Sequence, residues 1–218
     1  MKFKLEWVYK SKENKTALFT SEWLDAETAI LIGEELSRSG KAIELRFHDE
    51  MLASWSLKEM KKLTMEMETK PHEVTVYFDG GFNKETNEAG LGAVIYYKQG
   101  KKKYRLRANE LISGLDTNNE AEYAALYYAL TLIEELGVRH LPCEIKGDSQ
   151  GVLKQLQGEW PCYEEHLNRW LDRIEDKMNR LGIKPEYVIL PRNENKEADK
   201  LAGQALRGKK IRSKVQII

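Results

Sequence analysis

Residues 74–81 read VTVYFDGG, a β-branched and apolar run that ends in an acid and two glycines. The pattern predicts a buried strand. An aspartate at the carboxyl end of a buried strand stands where α/β sheets hold ligands, and glycines after it let a ligand approach the backbone. Alone, Asp79 is as readily a turn residue. The elements downstream of it narrow the choice. "GLGAVIYYK" and "KYRLRANEL" predict two more strands around a Gln99-Gly100 turn. A helix is predicted from Thr117 to about Leu136, stopped by Gly137. "CEIKGD" (143–148) predicts a strand that again ends in an acid, Asp148, and "SQGVLKQLQ" a short helix. A longer helix covers 163–181 between Pro161 and Gly182. "KPEYVILP" is the last strand, and Asn195 opens a helix to about Leu206. The order βββαβααβα predicts an antiparallel meander extended by parallel strands.

The helix start "TNNEAEYAAL" (117–126) carries two glutamates separated by one alanine. Thr117-Asn-Asn-Glu120 has the form of a capping box, with Glu120 reaching back to the helix end. Glu122 lies about 200° around the helix from Glu120. It shares a stripe with Leu126, Ala129 and Ile133, and a carboxylate on an apolar stripe is costly unless a charge compensates it. Asp199 repeats this in the last helix, beside Ala198, Leu201 and Ala202. Asp79, Glu122, Asp148 and Asp199 thus form an inward-facing acidic set. Oxygen-ligated divalent metal, Mg²⁺ or Mn²⁺, is the natural counter-charge, and two such ions would make a phosphodiester displacement site.

The first 63 residues predict a small α+β unit of order ββαβ, an extended piece and a helix. Phe3, Leu5 and Trp7 alternate, residues 17–23 form a second strand, and Ile43, Leu45 and Phe47 alternate again. Asp25 caps a helix that ends near Gly40, and "SLKE" (56–59) is a capping box. Trp7, Trp23 and Trp55 read as packing residues before they read as platforms for bases. Residues 64–72, "TMEMETKPH", read as a linker, and 208–218 as a basic tail. The chain has 35 basic and 35 acidic residues, 12 and 13 of them in residues 1–70, so neither part is basic. Nucleic-acid binding would have to come from local patches such as "KQGKKKYRLR" (98–107) and "RGKKIRSK" (207–214), which also read as a solvated hairpin and a frayed tail. No apolar run approaches a membrane span, no signal-peptide core opens the sequence, and Cys143 and Cys162 lack metal spacing. A soluble cytoplasmic protein with reduced thiols is expected, without membrane or obligate protein partners.

"YFDGG", "TNNEAEYAAL", "IKGDSQGVLKQL" and "NKEADKLA" resemble, in order and setting, the four active-site blocks of type 1 ribonuclease H, over residues 73–207. The resemblance, nearest to archaeal and Bacillus-type members with an extra N-terminal domain, implies the ribonuclease H-like fold. That fold is α/β, a mixed five-stranded sheet with flanking helices, here after the small α+β domain. It implies a metal-dependent endoribonuclease that cuts the RNA strand of RNA–DNA hybrids, leaving 3′-hydroxyl and 5′-phosphate. The metal-binding carboxylates then fall on Asp79, Glu122, Asp148 and Asp199, and hybrid contacts on Gly80, Asn118, Asn119, Gln150 and Asn195. Many bacterial members carry a mobile histidine before the last carboxylate; "PRNENKEAD" has none, and Arg192 is the auxiliary candidate in its place, the alternatives being a pairing with a phosphate or with Glu194. The basic protrusion of some members is missing from "QGEWPCYEEHLNRW", and the N-terminal part lacks the signature of the family's hybrid-binding domain. That part is expected to contact nucleic acid or a protein, or to stabilise the chain. A protein of this fold that binds nucleic acid with weak or no cleavage is the alternative.

Overall fold

Alternation in the first strand sorts its side chains to two faces, and the N-terminal unit grows from that. The computed structural model describes residues 2–217, except for the side chains of Met67 and Glu68. It divides into two units, 1–69 and 70–218. The N-terminal unit runs β1 (Lys2–Lys10), β2 (Thr16–Thr20), β3 (Leu24–Asp25), α1 (Ala26–Arg38), β4 (Ala42–Asp49), β5 (Ser54–Trp55) and α2 (Leu57–Thr69). Its sheet has the order β2-β1-β4-β5, with β3 on β1. Phe3, Leu5, Phe47, Ala29 and Met60 form its core. Asp25 caps α1 by accepting from the Thr28 N–H at 3.0 Å. The Ser56–Glu59 capping box forms in both directions, at 2.8 and 3.3 Å. Trp7 stacks on Phe19, and the Trp55 indole donates to Asp49 at 3.1 Å. Trp23 differs, standing exposed with the Lys4 ammonium over its ring.

The predicted linker is not one: α2 continues to Thr69 and the next strand begins at Pro71. Thr64 returns its hydroxyl to the Met60 carbonyl at 3.0 Å within that helix, and polarity alone does not make a segment irregular.

The second unit runs β6 (Pro71–Asn83), β7 (Glu88–Gln99), β8 (Lys102–Ser113), α3 (Asn118–Glu135), β9 (Pro142–Gly147), α4 (Gln150–Leu156), α5 (Glu165–Leu181), β10 (Lys184–Ile189), α6 (Lys196–Leu206) and β11 (Arg212–Ile217). A 3₁₀ turn, Arg192–Glu194, precedes α6. Strands β6, β7 and β8 form the expected meander, β9 adds in parallel to β6, and β10 in parallel to β9. The sheet has six strands, not five, in the order β10-β9-β6-β7-β8-β11. The extra strand is the predicted tail, which pairs antiparallel with β8 from Arg212 opposite Ala108 to Ile217 opposite Lys103. Asn109 fixes its entry. Its amide donates to the carbonyls of Leu201 and Lys209, and its side-chain oxygen accepts from the Ile211 N–H at 2.6 Å.

Helix α3 packs on one face through Ala121, Ala125, Leu126, Ala129 and Ile133, all fully buried. Helix α6 lies on the other over Gly81, Gly90 and Gly92. A Cβ on Gly90 or Gly92 would stand 2.2 Å from the carbonyl oxygen of Ala202 or Ala198. The helix therefore rests on strand backbone, closer than any side chain allows.

Deleting the chain from Lys210 onward is expected to expose the hydrogen-bonding edge of β8 and to orphan Asn109. A lowered thermal midpoint with concentration-dependent association, by light scattering, is the expected result. A monomer of unchanged midpoint would show that β11 contributes no stability.

Candidate active site

Asp79 is the ninth residue of β6, opposite Gly92 of β7. It is 7% exposed. Gly80 comes next, and a Cβ there would meet the backbone of Ala121 and Glu122 at 2.2–2.5 Å. Only a glycine lets the first turn of α3 come down on the strand at this point. The contact brings Glu122 to β6, where its Oε2 accepts from the Gly80 N–H at 3.3 Å. Asp148 follows the last residue of β9, and Asp199 lies in the first turn of α6. All four carboxylates line one open cleft of about 800 Å³. Asn118, Arg192, Lys200 and Arg207 line it as well, with Phe82 and Leu206 among its apolar walls.

The two glutamates of α3 differ as expected, though not for the whole of the expected reason. The helix is buried nearly all round, and Glu120 is itself only 8% exposed. What separates the two is what each meets. Glu120 accepts from the Asp116 N–H at 2.8 Å, one residue before the expected partner, while Thr117 Oγ1 accepts from the Glu120 N–H at 3.2 Å. Glu122 meets other carboxylates. Burial first, then the charges of Asp79 and Asp148, push its carboxyl up to about 8; the Gly80 N–H and Arg192 oppose this. Burial, then the charges of Asp148 and Asp199, push Asp79 up to about 7, with Arg192 again opposing. Asp199 is exposed at the rim and does not point into the core. Its place beside Ala198 and Ala202 in sequence overstates its burial.

Of the expected hybrid contacts, Asn118 is exposed and lines the cleft. Asn119 and Gln150 are exposed in the first turns of α3 and α4, outside the residues that line it. Gly80 lines it, but its N–H is taken by Glu122. Asn195 is corrected: it is 1% exposed, and its side chain does not cap α6. Its amide donates to the Phe78 carbonyl at 2.9 Å and to Asp148 Oδ1 at 2.6 Å, while its own carbonyl accepts from the Asp199 N–H at 3.1 Å. It ties together the segments that carry Asp79, Asp148 and Asp199. An asparagine four residues before an acid reads as a cap; only the fold reveals the tie. Lys200 and Arg207 of the cleft wall carry no signal in sequence.

The donor set is all oxygen, and two members are held above the usual carboxylate range by burial and by one another's charge. That is the chemistry of a hard divalent cation site. Among the described residues no three His, Cys, Asp or Glu side chains close around a single ion. This suits Mg²⁺ or Mn²⁺, which keep several waters and take ligands from a substrate phosphate. A divalent cation fits here, with Asp79, Glu122, Asp148 and Asp199 as its candidate holders.

This geometry makes stability depend on pH. Glu122 is raised in the fold from 4.5 to about 8, so across that window the metal-free native state keeps a proton that the unfolded chain has released. Its contribution to stability is full below about 4.5 and is lost as pH rises through about 8, with a slope of at most about 1.4 kcal/mol per pH unit. Glu122→Gln should flatten the fall in thermal midpoint over that window. Mg²⁺ should raise the wild-type midpoint more at the alkaline end, where the carboxylates are ionised. Parallel wild-type and variant curves would contradict the assignment. Separately, Asn195→Ala leaves the Phe78 carbonyl and Asp148 without their donor, and should cost about 1–3 kcal/mol in denaturant unfolding.

The sequence matches the family described as reverse transcriptase-like over residues 77–205. It is 48% identical over 190 residues to the uncharacterized protein YpeP of Bacillus subtilis, covering 87% of this chain and 84% of that protein. It is 34% identical over 134 residues to ribonuclease HI of Halobacterium salinarum, covering 61% of this chain and 64% of that protein. The crystal structure of the Halobacterium salinarum RNase H1 superposes with a TM-score of 0.53 at 32% identity, over 62% of this chain and 98% of that one. LC11-RNase H1, isolated from compost by a metagenomic approach and solved in complex with an RNA/DNA hybrid, superposes with a TM-score of 0.55 at 27% identity, over 62% and 98%. No helix among the described residues is long and apolar enough to cross a membrane. A match of this extent, on a sheet and helices arranged as in the solved structures, assigns the protein: the chain belongs to the reverse transcriptase-like family and, within it, to the type 1 ribonuclease H family of enzymes.

Proposed function

We propose that this chain is a metal-dependent endoribonuclease that hydrolyses the RNA strand of RNA–DNA hybrids, using two divalent cations and leaving 3′-hydroxyl and 5′-phosphate ends. One observation carries the reading: carboxylates from four separate segments line a single open cleft. When bound, the cations supply positive charge to the attacking water and to the departing 3′-oxygen. The rest falls to the chain. Asp79, Glu122, Asp148 and Asp199 offer oxygen ligands. Asn195 holds Asp148 by its amide, and the Gly80 N–H holds Glu122, so the ligands are oriented before substrate arrives. Asn118 at the rim offers an amide to 2′-hydroxyls and base edges in a wide minor groove, with exposed Asn119 and Gln150 beside that path. Arg192, on the cleft wall, balances part of the carboxylate charge and takes the place of the family's loop histidine. The N-terminal unit adds grip on the hybrid or contacts a protein.

Binding without cleavage is the second reading, and it is favoured by the loop before Asp199, "PRNENKEAD", which carries an arginine and no histidine. Labelled hybrid, double-stranded RNA and double-stranded DNA, each with Mg²⁺ or Mn²⁺, separate the two. Cleavage of hybrid alone is expected, and binding with no cleavage under either metal would replace the first reading by the second. Glu122→Gln should lower the cleavage rate by at least about a hundredfold. Glu120→Gln should keep most of it and cost no more than about 1 kcal/mol of stability through the helix end. Equal losses in the two variants would count against the ligand assignment.

A further inference from the structure

The residues of α6 that line the cleft fall in two neighbouring stripes. Asp199, Ala202 and Leu206 make one; Lys200, Gly203 and Arg207, the last at the helix C-cap, make the other. The second stripe has two properties that the packing leaves unexplained. Lys200 and Arg207 are exposed, and among the described residues neither side chain has a hydrogen-bond or ion-pair partner. Several cations elsewhere in the unit are paired, Arg105 and Arg107 with Glu197, Lys177 with Glu134 and Arg212 with Glu135, whereas these two stand on the cleft wall without an acid in reach among the described residues. Gly203 sits mid-helix, where glycine is destabilising relative to alanine. Nothing in the packing demands it, since a Cβ there would meet only the Arg207 guanidinium, at 3.5 Å. The contrast with Gly90 and Gly92, which backbone contacts require, is sharp. Gly203 puts no side chain between the two cations, and the Arg207 guanidinium reaches back over it on the wall of the cleft that holds the carboxylates.

We infer that the Lys200–Gly203–Arg207 stripe seats the phosphodiester backbone of the strand being cut, at a phosphate beyond the scissile one. The inference rests on the hybrid-cleaving reading above for the identity of that strand. Two unpaired cations flanking a gap without a side chain suit a bulky tetrahedral anion; the guanidinium gives it directed bonds and the ammonium a point charge. Arg207 lies eight residues beyond Asp199, about 12 Å along the helix, or roughly three to four nucleotides of strand. The bland account of Arg207 is a cation at a helix C-terminus, favourable to the dipole. A cation with that role alone would affect stability and leave substrate binding untouched.

The test compares wild type with the double variant Lys200→Gln/Arg207→Gln on a defined hybrid in Mg²⁺, over a range of KCl. KM should rise about tenfold with kcat within about twofold, and the log–log salt slope should become less steep by about two. A series of hybrids with one neutral methylphosphonate linkage at a time in the cut strand locates the seat. The wild-type KM should rise several-fold at one position about three or four linkages from the cut, and the double variant should be indifferent there. Anisotropy of the labelled hybrid without cleavage gives a readout independent of the nuclease reading. Binding weakened about tenfold, with the shallower slope, supports the seat even in a chain that does not cut. Unchanged binding and slope overturn it whatever the cleavage assay gives. Wild type that binds but never cuts would sink the nuclease reading alone.

Discussion

The site depends on two places where helix backbone touches strand backbone. A side chain at residue 80 would collide with the carbonyl of Ala121, and one at residue 92 with the carbonyl of Ala198. Because both positions are glycine, α3 and α6 settle on opposite faces of the same strands with their first turns near Asp79. Glu122 and Asp199 are one turn into those helices, so the contacts determine where they stand. The constraint is steric and unforgiving, since interiors are close-packed and backbone cannot give way as a flexible side chain does. The acidic cleft is thus a consequence of packing, not of attraction among its members.

Those members repel. Asp79 and Glu122 are both held well above the ordinary carboxylate range, to about 7 and 8, with burial the largest cause and neighbouring carboxylates next. Two local features oppose this, the Gly80 N–H on Glu122 and the charge of Arg192. Neither is enough to restore ordinary acidity. A fold that gathers such groups gives up stability to keep a cation site prepared, the usual trade at sites where charge is concentrated. Asn195 limits the cost. Fully buried, it fixes Asp148 against β6 and receives the start of α6, so three of the four carboxylate segments move as one body.

Most of this is visible in the sequence, for identifiable reasons. Strand-end acids and acids in first helical turns stand out against apolar surroundings, and Asp79, Glu122, Asp148 and Asp199 all do so. They share one cleft, as their grouping in sequence predicts. Rotation about α3 is only part of what distinguishes Glu120 from Glu122: the helix is buried on nearly every side, and hydrogen-bond partners make the difference. Asn195 escapes sequence reasoning because a helix cap and a tertiary tie use the same residue type at the same place. The 208–218 segment escapes it because edge strands carry charge for solubility, which in sequence looks like a tail. Residues 64–72 pass for a linker because a polar helix has weak periodicity against its flanks. Lys200 and Arg207 are invisible there: a lysine or arginine on a helix is ordinary until its partners are counted in space.

Charge, finally, is informative here only by location. With 35 residues of each sign the chain has no net field to draw in a polyanion. Ion pairing neutralises much of what remains, as where Arg105 and Arg107 share Glu197. Screening at physiological salt confines any residual field to about 8 Å. A nucleic acid would therefore sense this protein at contact distance, through cations left unpaired where it lies. Lys200 and Arg207 on the cleft wall answer that description, next to carboxylates that would repel a phosphate unless cations were bound between. On the inferred phosphate seat, one wall would both attract backbone phosphates and border an acidic centre, and segregating the two charges on adjacent stripes of one helix is what would let it do both.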